Sequence, residues 1–294
     1  MWKQSPIVSA GTARIRATFN RLRRQRRKAL IPFLMGGDGG LRATADLIRT
    51  LADAGADLIE VGIPFSDPVA DGPIIQRATM RALARGTTPP ALLEMLSRVA
   101  RQVPVPLVLL SYWNPIARYG HAHGPANDPT PFVRAATQAG VAGVIVPDLP
   151  PEEAEPLCRI AARHGVATVF LASPTSPPSR LRQIARRSEG FIYYVSVTGT
   201  TGVRKGLPTE WLQGVRQLRL MTTKPICVGF GISTPGQAQA IGRLTDGVII
   251  GSALLQRLEP FLGRPSQRRH QAQRFLLGFR RALSRSARKD AVGG

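Results

Sequence analysis

The feature that most constrains this chain is a regular alternation of short apolar runs with segments of helical periodicity. Eight runs fit strands, at residues 29–35, 57–63, 105–111, 142–147, 166–172, 191–197, 225–230 and 246–250. Most of them are apolar at nearly every position, which is typical of strands buried on both faces. Such strands belong to parallel sheets, because the helices that connect parallel strands cover both sides of the sheet.

Segments with helical periodicity separate these runs. They lie at residues 41–54, 90–102, 131–138, 152–164, 179–188, 209–220 and 234–243. Three of them are followed closely by a glycine that can end a helix, namely Gly55, Gly140 and Gly165. Eight strands alternating with helices predict one α/β domain, a single (β/α)8 TIM barrel over residues 29–285. A doubly wound open sheet is the structural alternative, although it usually has fewer strands.

Positive charge is concentrated at the two ends of the chain. The net charge is +22, and residues 1–37 and 264–294 each contain nine Lys or Arg, with Asp290 as their one acid. Such a charge suggests nucleic-acid binding, but acids and bases are nearly balanced between the ends. Arg supplies 35 of the 40 basic residues, a bias that a GC-rich genome produces without functional selection. We therefore do not expect nucleic acid to be a partner.

The N-terminal basic segment has the pattern of an amphipathic helix over residues 14–28. Its apolar face is formed by Ile15, Phe19 and Leu22. We expect residues 1–28 to form a basic extension with an extra helix ahead of the barrel, and residues 286–294 to form a tail. An Arg-rich, acid-free start is also typical of organelle targeting segments. That segment continues into the first strand without a cleavage-like linker, which favours a plain solvated helix.

Several classes of protein and site lack support in the sequence. No run of 18 or more apolar residues and no secretory signal is present, so we expect a cytoplasmic protein without membrane contact. Cys158 and Cys227 lie in no Cys/His cluster and are expected to be reduced thiols. His121, His123 and His164 have no further ligands near them in sequence, which predicts no metal site. There is no Walker loop and no dinucleotide-binding glycine motif.

Two carboxylates follow the second apolar run. Glu60 lies inside the run, where burial of a charge is costly and raises a carboxyl pKa towards the range useful for acid–base catalysis. A buried Glu paired with an Arg is the structural alternative, but the strand segments contain no Arg or Lys. Asp71, in a loop bracketed by Pro and Gly, could return over the barrel mouth or could simply stabilise a turn.

Glycine-rich segments follow the last three apolar runs, at residues 199–202, 229–233 and 251–252. Backbone N–H groups without bulky side chains, next to a helix N-terminus, bind anions. TIM barrels often bind phosphate with the loops after strands 7 and 8. From the residues alone, the chain is therefore a phosphate-binding barrel that uses Glu60 and Asp71 for acid–base chemistry.

The segment from Glu60 to Pro73, with Gln76 after it, closely resembles the signature of the tryptophan synthase alpha subunit family. Further matching segments lie at residues 31–33, 147–150, 229–233 and 251–252. The resemblance runs in order from about residue 15 to residue 285. It implies a lyase that cleaves indole-3-glycerol phosphate to indole and glyceraldehyde 3-phosphate in tryptophan biosynthesis.

The resemblance also implies roles for individual residues. In the family, the Glu that matches Glu60 moves protons to indole C3 and from the glycerol hydroxyl. The Asp that matches Asp71 accepts a hydrogen bond from the indole N–H. The indole pocket corresponds to Phe33, Leu110 and Tyr193. The phosphate contacts correspond to Gly202, Phe230, Gly231, Gly251 and Ser252. Thr201 corresponds to the threonine of the lid.

By the same resemblance, this chain has no cofactor of its own. Pyridoxal phosphate belongs to a beta subunit, which receives indole through a tunnel in an alpha-beta-beta-alpha tetramer. In the family, the loop 65–73 and the segment near Asn114 lie at the interface between the two kinds of subunit.

Two loops depart from the family pattern. Residues 199–202 read Gly-Thr-Thr-Gly where Gly-Val-Thr-Gly is usual, although the lid residue Thr201 is kept. Residues 37–39 read Gly-Asp-Gly in place of Gly-Asp-Pro, which predicts a more flexible loop.

Three alternative functions remain to be weighed. A stand-alone lyase of the same fold would release free indole, but the loop that faces the beta subunit is intact. A nucleic-acid binder that kept the barrel should have lost Glu60 and Asp71, and both are present. Another phosphate-barrel enzyme, such as an indoleglycerol-phosphate synthase, should carry catalytic lysines on its strands, and none is found there.

Overall fold

The computed structural model describes residues 11–120, 127–195, 210–229 and 231–289. Within them, parallel strands form one continuous sheet that curls into a nearly closed barrel surrounded by helices. The strands are β1 (Ala29–Met35), β2 (Ile59–Gly62), β3 (Leu107–Leu110), β4 (Gly143–Ile145), β5 (Ala167–Val169), β6 (Leu171–Ala172), β7 (Ile192–Val195), β8 (Ile226–Gly229) and β9 (Gly247–Ile250). The predicted TIM barrel is confirmed.

The barrel has nine strands instead of eight because the fifth predicted run, 166–172, is divided at Phe170. The order of strands is β5-β4-β3-β2-β1-β9-β8-β7-β6, so the two halves of that run lie at the two ends of the ladder. Val169 pairs with Ile145 on one side, while the Phe170 carbonyl accepts a hydrogen bond of 3.1 Å from the Tyr193 N–H on the other. The chain itself therefore closes the barrel at Phe170.

Helices follow the strands, and those that the periodicity predicted are present with ends shifted by up to four residues. The helices are α1 (Gly11–Arg24), α2 (Leu41–Asp53), α3 (Pro73–Ala84), α4 (Pro89–Val99), α5 (Trp113–Ala117), α6 (Thr130–Gln138), α7 (Glu155–Arg163), α8 (Pro178–Arg187), α9 (Glu210–Met221), α10 (Pro235–Leu244), α11 (Ser252–Leu258) and α12 (Pro265–Lys289). Helices α3, α5, α11 and α12 were not predicted from the sequence. None of the helices among the described residues is long and apolar enough to cross a membrane.

The strands bury alternate residues on the two sides of the barrel wall. Along β1, Ala29 and Ile31 point into the barrel interior, while Leu30 and Leu34 pack against the outer helices. Phe33 belongs to a third cluster, near the carboxyl end of the strand. This alternation explains why the run is apolar at every position: both faces of each strand are covered.

The N-terminal helix closes the amino end of the barrel. It begins at Gly11 and ends at Arg24, earlier than the predicted span 14–28. Its predicted apolar face packs into the barrel interior, with Ile15 fully buried. A Cβ on Gly11 would lie 2.4 Å from the Ala142 Cα, so the helix and the barrel wall are in close contact.

The C-terminal arginine-rich segment is part of the barrel's outer layer. Helix α12 buries an apolar face made of Ala272, Leu276, Phe279 and Leu283. It continues to Lys289, four residues past the predicted end of the barrel at residue 285. Much of the basic C-terminal segment is therefore a packed helix.

Arginines of both ends pair with acids of the barrel. Arg280 lies 2.6 Å from the buried carboxylate of Asp57, and Arg268 lies 2.8 Å from Asp38, with both partners under 5% exposed. Arg21 and Arg27 place guanidinium nitrogens 3.9 and 3.8 Å from Asp57. Part of the charge excess at the ends therefore neutralises acids that the fold buries.

The loop 37–39, predicted to be flexible, is tied at its central residue. Arg268 donates a 2.6 Å hydrogen bond to the Asp38 carbonyl as well as pairing with its carboxylate. Gly39 has φ +87°, and a Cβ there would lie 2.3 Å from Arg268 Nη1. Glycine at position 39 is thus required both by the backbone conformation and by the buried arginine beside it.

We expect Gly39→Ala to destabilise the protein more than Gly86→Ala. Both glycines have positive φ, at +87° and +71°, so alanine strains the backbone at either position by roughly 1–2 kcal/mol. Only at residue 39 would the new Cβ displace a buried guanidinium, whereas residue 86 has nothing within 4 Å. Urea unfolding should show that Gly39→Ala lowers the free energy of unfolding by at least about 1 kcal/mol more than Gly86→Ala does. Equal losses would show that Arg268 moves aside freely.

Candidate active site

A cavity opens at the carboxyl ends of the strands, the end at which TIM barrels place their chemistry. Eight residues singled out in the sequence line it, namely Phe33, Glu60, Asp71, Leu110, Tyr193, Gly231, Gly251 and Ser252. Three others, Thr201, Gly202 and Phe230, lie outside the described residues. The structure therefore brings every described residue of the predicted site to one cavity.

Glu60 lies in the middle of β2, between Phe33 of β1 and Val108 of β3. Its side chain is 1% exposed, and Oε2 has no hydrogen-bond partner among the described residues. No ion pair joins it to an arginine among the described residues, so the structural alternative of a buried Glu–Arg pair has no support in that part of the chain. Desolvation, and then the nearby charge of Asp71, raise the pKa of Glu60 to about 8.

Asp71 lies in the loop between β2 and α3, two residues before Pro73 begins that helix. Desolvation raises its pKa to about 6, and a side-chain hydrogen bond with Tyr112 opposes that rise. The loop is anchored on both sides of the carboxylate. The Ala70 N–H donates to the Tyr112 hydroxyl at 2.9 Å, and Gln76 Nε2 donates to the Asp71 carbonyl at 2.8 Å.

Tyr112 is a site residue that the sequence analysis missed. It follows β3 directly, is 2% exposed, and packs its ring 5.5 Å from that of Phe65 at the other end of the loop. Its hydroxyl contacts Ala70 and Asp71, so it fixes the loop that carries the second carboxylate. The available signal was its place at the end of a strand, but only the fold brings that strand end beside the loop.

The two carboxyl groups have different protonation states at neutral pH. With pKa values of about 8 and about 6, Glu60 is mostly protonated and Asp71 mostly ionised at pH 7. Two carboxyl groups whose environments separate their pKa values are the usual arrangement of an acid and a charge-stabilising base.

The opposite side of the cavity is formed by the segments that follow β8 and β9. Gly231 has φ +75°, and Gln237 accepts hydrogen bonds from the N–H groups of Ser233 and Thr234 at 2.9 and 3.1 Å. Helix α11 begins at Ser252, and no side chain caps its first turn. The backbone N–H groups of the first turn of α11, next to Gly231 and Gly251, suit an anionic group.

Three walls of the cavity are joined by arginine side chains of α3. Arg81 pairs with Asp38, in the loop after β1, at 2.8 Å and with Glu259, just after α11, at 2.7 Å. Arg77, one turn earlier, reaches the same Glu259 at 3.2 Å. The first turn of α3 and the first turn of α11 both line the cavity, so these ion pairs fix the distance between the Asp71 side and the Ser252 side.

Further cavity residues were not named from the sequence. They are Ala70, Ile74, Ile75, Pro147, Leu171, Ile232, Ser233, Gln237, Ile249, Ala253 and Gln256. Most are apolar and extend the surface offered by Phe33, Leu110 and Tyr193. The described residues contain no group of three or more His, Cys, Asp or Glu that could hold a metal ion. The cavity thus suits a ligand with one flat apolar part and one anionic part.

We expect Glu60→Gln to stabilise the protein increasingly as the pH rises. The folded state holds the Glu60 proton up to a pKa of about 8, whereas the unfolded chain releases it near 4.5. Burial of Glu60 therefore lowers the free energy of unfolding progressively between those two pH values. The free energy of unfolding of Glu60→Gln, relative to that of the parent, should increase by roughly 2–3 kcal/mol from pH 6 to pH 9.

Urea unfolding at the two pH values measures this gain. Glu153→Gln is a matched control, because Glu153 is exposed and its substitution should give the same difference from the parent at both pH values. A pH-independent effect of Glu60→Gln would contradict the raised pKa.

Comparison with known proteins identifies the family. The family model described as tryptophan synthase alpha chain matches residues 19–284. The tryptophan synthase alpha chain of Geobacter sulfurreducens is 47% identical over 249 residues, covering 85% of this chain and 91% of the relative. That of Geotalea uraniireducens is 45% identical over 282 residues, covering 96% of this chain and all of the relative.

Solved structures agree with the sequence comparison. The tryptophan synthase alpha subunit of Legionella pneumophila superposes with a TM-score of 0.82 at 34% identity, covering 92% of this chain and 98% of that one. A chain of Mycobacterium tuberculosis tryptophan synthase gives a TM-score of 0.82 at 32% identity with the same coverage. This chain therefore belongs to the tryptophan synthase alpha chain family, the lyase subunits that cleave indole-3-glycerol phosphate in tryptophan biosynthesis.

Proposed function

We propose that Glu60 and Asp71 divide the proton transfers and charge stabilisation of indole-3-glycerol phosphate cleavage between them. The observation that carries this proposal is their pairing in one cavity with opposite protonation states at pH 7. Glu60 is protonated and can act as a proton donor, whereas Asp71 is ionised and can stabilise a positive charge. Neither role needs a cofactor, and we propose none for this chain.

The reaction follows from these two states. Protonated Glu60 gives its proton to indole C3, and a positive charge develops on the ring nitrogen. The Asp71 carboxylate stabilises that charge by accepting a hydrogen bond from the ring N–H. The Glu60 carboxylate then removes the proton of the glycerol hydroxyl next to the bond to C3. That bond breaks, its electrons return to the ring, and indole and glyceraldehyde 3-phosphate are formed. Glu60 ends the cycle protonated, as it began.

The cavity offers matching surfaces for the two halves of the substrate. We place the indole ring against Phe33, Leu110 and Tyr193, which are apolar or aromatic and largely buried. The phosphate then reaches the glycine-rich side, where the backbone donors lie. Its predicted contacts are Gly231, Gly251 and Ser252, with Gly202, Phe230 and the lid residue Thr201 predicted from the resemblance alone.

We further propose that the chain works in the cytoplasm as the alpha subunit of an alpha-beta-beta-alpha tetramer. In that assembly the beta subunit would hold pyridoxal phosphate and receive indole. The loop 65–73 supports such a contact, because Val69 at its tip is 83% exposed although it is apolar. Asn114, in α5, is also exposed and near the same end of the barrel. A stand-alone lyase remains the second candidate.

We expect indole release by the purified chain to be weak alone and strongly increased by a tryptophan synthase beta subunit. Glu60→Gln should lose at least 100-fold in turnover under both conditions, since general acid–base catalysis contributes roughly 10²–10⁴ in rate. Binding of the substrate should persist, because glutamine keeps the shape of the side chain. Strong release without the beta subunit would support a stand-alone lyase instead.

We expect Tyr112→Phe to move the acidic limb of the pH–rate profile upwards. The Tyr112 hydroxyl lowers the pKa of Asp71, so its removal should raise that pKa above about 6 and delay ionisation of the carboxylate. The basic limb, set by protonated Glu60 near pH 8, should move less.

Measurement of kcat/KM from pH 5 to pH 9 tests this. Tyr119→Phe is the matched control, because Tyr119 contacts Phe132 outside the cavity and its loss should leave both limbs in place. An unchanged acidic limb in Tyr112→Phe would show that Tyr112 does not act on the Asp71 charge.

A further inference from the structure

We propose that a second cavity, at the amino-terminal end of the barrel, binds a small phosphate-bearing anion. This cavity is separate from the catalytic one. It lies where α1 ends and β1 begins at Ala29, and it includes Pro225 and Asp246, which immediately precede β8 and β9. Glu60 and the catalytic cavity are at the opposite ends of these parallel strands.

Four cationic side chains surround the cavity, which has a volume of about 410 Å³. They are Arg23, Arg26, Arg27 and Lys28, all on the last turn of α1 or just after it. Asp246 is its one acidic residue, and it is already engaged by Arg219 and by the Ile226 N–H at 2.8 Å. The cavity therefore holds a large excess of positive charge that no described carboxylate inside it neutralises.

Arg26 has a backbone conformation that an arginine rarely adopts. Its φ is +51°, and among the described residues it is the one non-glycine residue with positive φ. Helix α1 ends in a Schellman motif, in which the Arg26 N–H donates to the Arg23 carbonyl at 3.0 Å and the Arg27 N–H donates to the Leu22 carbonyl at 2.8 Å. Arg26 occupies the left-handed position of that motif, which strongly favours glycine.

Within the described part of the chain, four other helices end in the same motif, with the same two hydrogen bonds. Each has glycine at the left-handed position, namely Gly55, Gly86, Gly140 and Gly165. The chain thus provides its own reference for this turn. Only at the end of α1 does a long cationic side chain replace glycine, and only there does the turn line a basic cavity.

No contact within the described protein offsets this strain. Arg26 is exposed, and its side chain has no hydrogen-bond or ion-pair partner among the described residues. Arg23, Arg27 and Lys28, in contrast, each contact a carbonyl or carboxylate of the barrel. A strained residue with an unused guanidinium beside a cavity indicates that its partner is a ligand.

The chemistry of the cavity selects the class of ligand. Guanidinium groups match phosphate oxygens in geometry and charge, and several of them favour a multivalent anion. Phe19, Leu22 and Pro225 line the apolar part of the cavity, and its volume suits a group of the size of a diphosphate or a small phosphate ester. The cationic groups converge on a recess, which favours a small anion over a nucleic-acid strand.

The test uses the full chain and inorganic pyrophosphate as the probe, at constant ionic strength set with potassium chloride. We expect Arg26→Gly to raise the midpoint of thermal unfolding without ligand, because glycine removes the strain, and to weaken pyrophosphate binding at least tenfold by calorimetry. Indole release should be unchanged, since residue 26 is far from the catalytic cavity. Pyrophosphate bound in the catalytic cavity would persist in this variant and so be recognised.

Arg26→Gln and Arg24→Gln form a pair with equal loss of charge. Arg24 is exposed on the same turn but does not line the cavity. Arg26→Gln should weaken pyrophosphate binding at least tenfold, and Arg24→Gln less than twofold. The proposal is overturned if the two variants bind pyrophosphate equally, or if Arg26→Gly gains stability with no loss of binding. It is also overturned if a short DNA duplex displaces pyrophosphate and depends equally on both arginines, which would indicate a nucleic-acid surface.

Discussion

The buried carboxylate of Asp57 is the interaction that holds the first strand of the barrel to the first and last helices. It accepts a 3.0 Å hydrogen bond from the Leu30 N–H in β1 and lies 2.6 Å from Arg280 of α12. Arg21 and Arg27, from α1 and the turn after it, approach the other carboxylate oxygen. One side chain at the start of β2 therefore connects the first strand, the first helix and the last helix. Asp38 does the same at the other end of the barrel, through Arg81 and Arg268.

Glu60, three residues further along the chain, is a buried acid in an environment opposite to that of Asp57. Asp57 pairs with arginines of α12 and of the end of α1, whereas Glu60 has no ion-pair partner among the described residues. Desolvation is the main cause of the raised pKa of Glu60. The difference arises from position along the strand, since one residue faces the packed amino end and the other faces the cavity. Burial of Glu60 keeps its carboxyl group protonated near neutral pH at a cost in stability, and that protonated state is the one that the proposed proton donor needs.

The sequence predicted what depends on local pattern and missed what depends on distant pairing. The run 29–35 became β1 with the same ends. Glu60 was singled out because a charge in an apolar strand is visible in the sequence itself, whereas Asp71, in a loop, depended on the family resemblance for its role. The break at Phe170 arises from closure of the barrel, which periodicity does not encode. Helix α12 was not predicted because an arginine-rich segment is typical of an exposed tail. The acids that pair with Arg268 and Arg280 lie more than 220 positions away in the sequence.

Those two distant pairs have a consequence for the chain as it is being made. Asp38 and Asp57 are translated more than 220 residues before Arg268 and Arg280, their partners in α12. Until they arrive, each aspartate lacks its best-buried partner, and closing the barrel around it would leave charge poorly compensated in the interior. A chain without α12 would keep Asp38 and Asp57 but lack Arg268 and Arg280, so we expect it to be less stable and more open to proteases than the full chain.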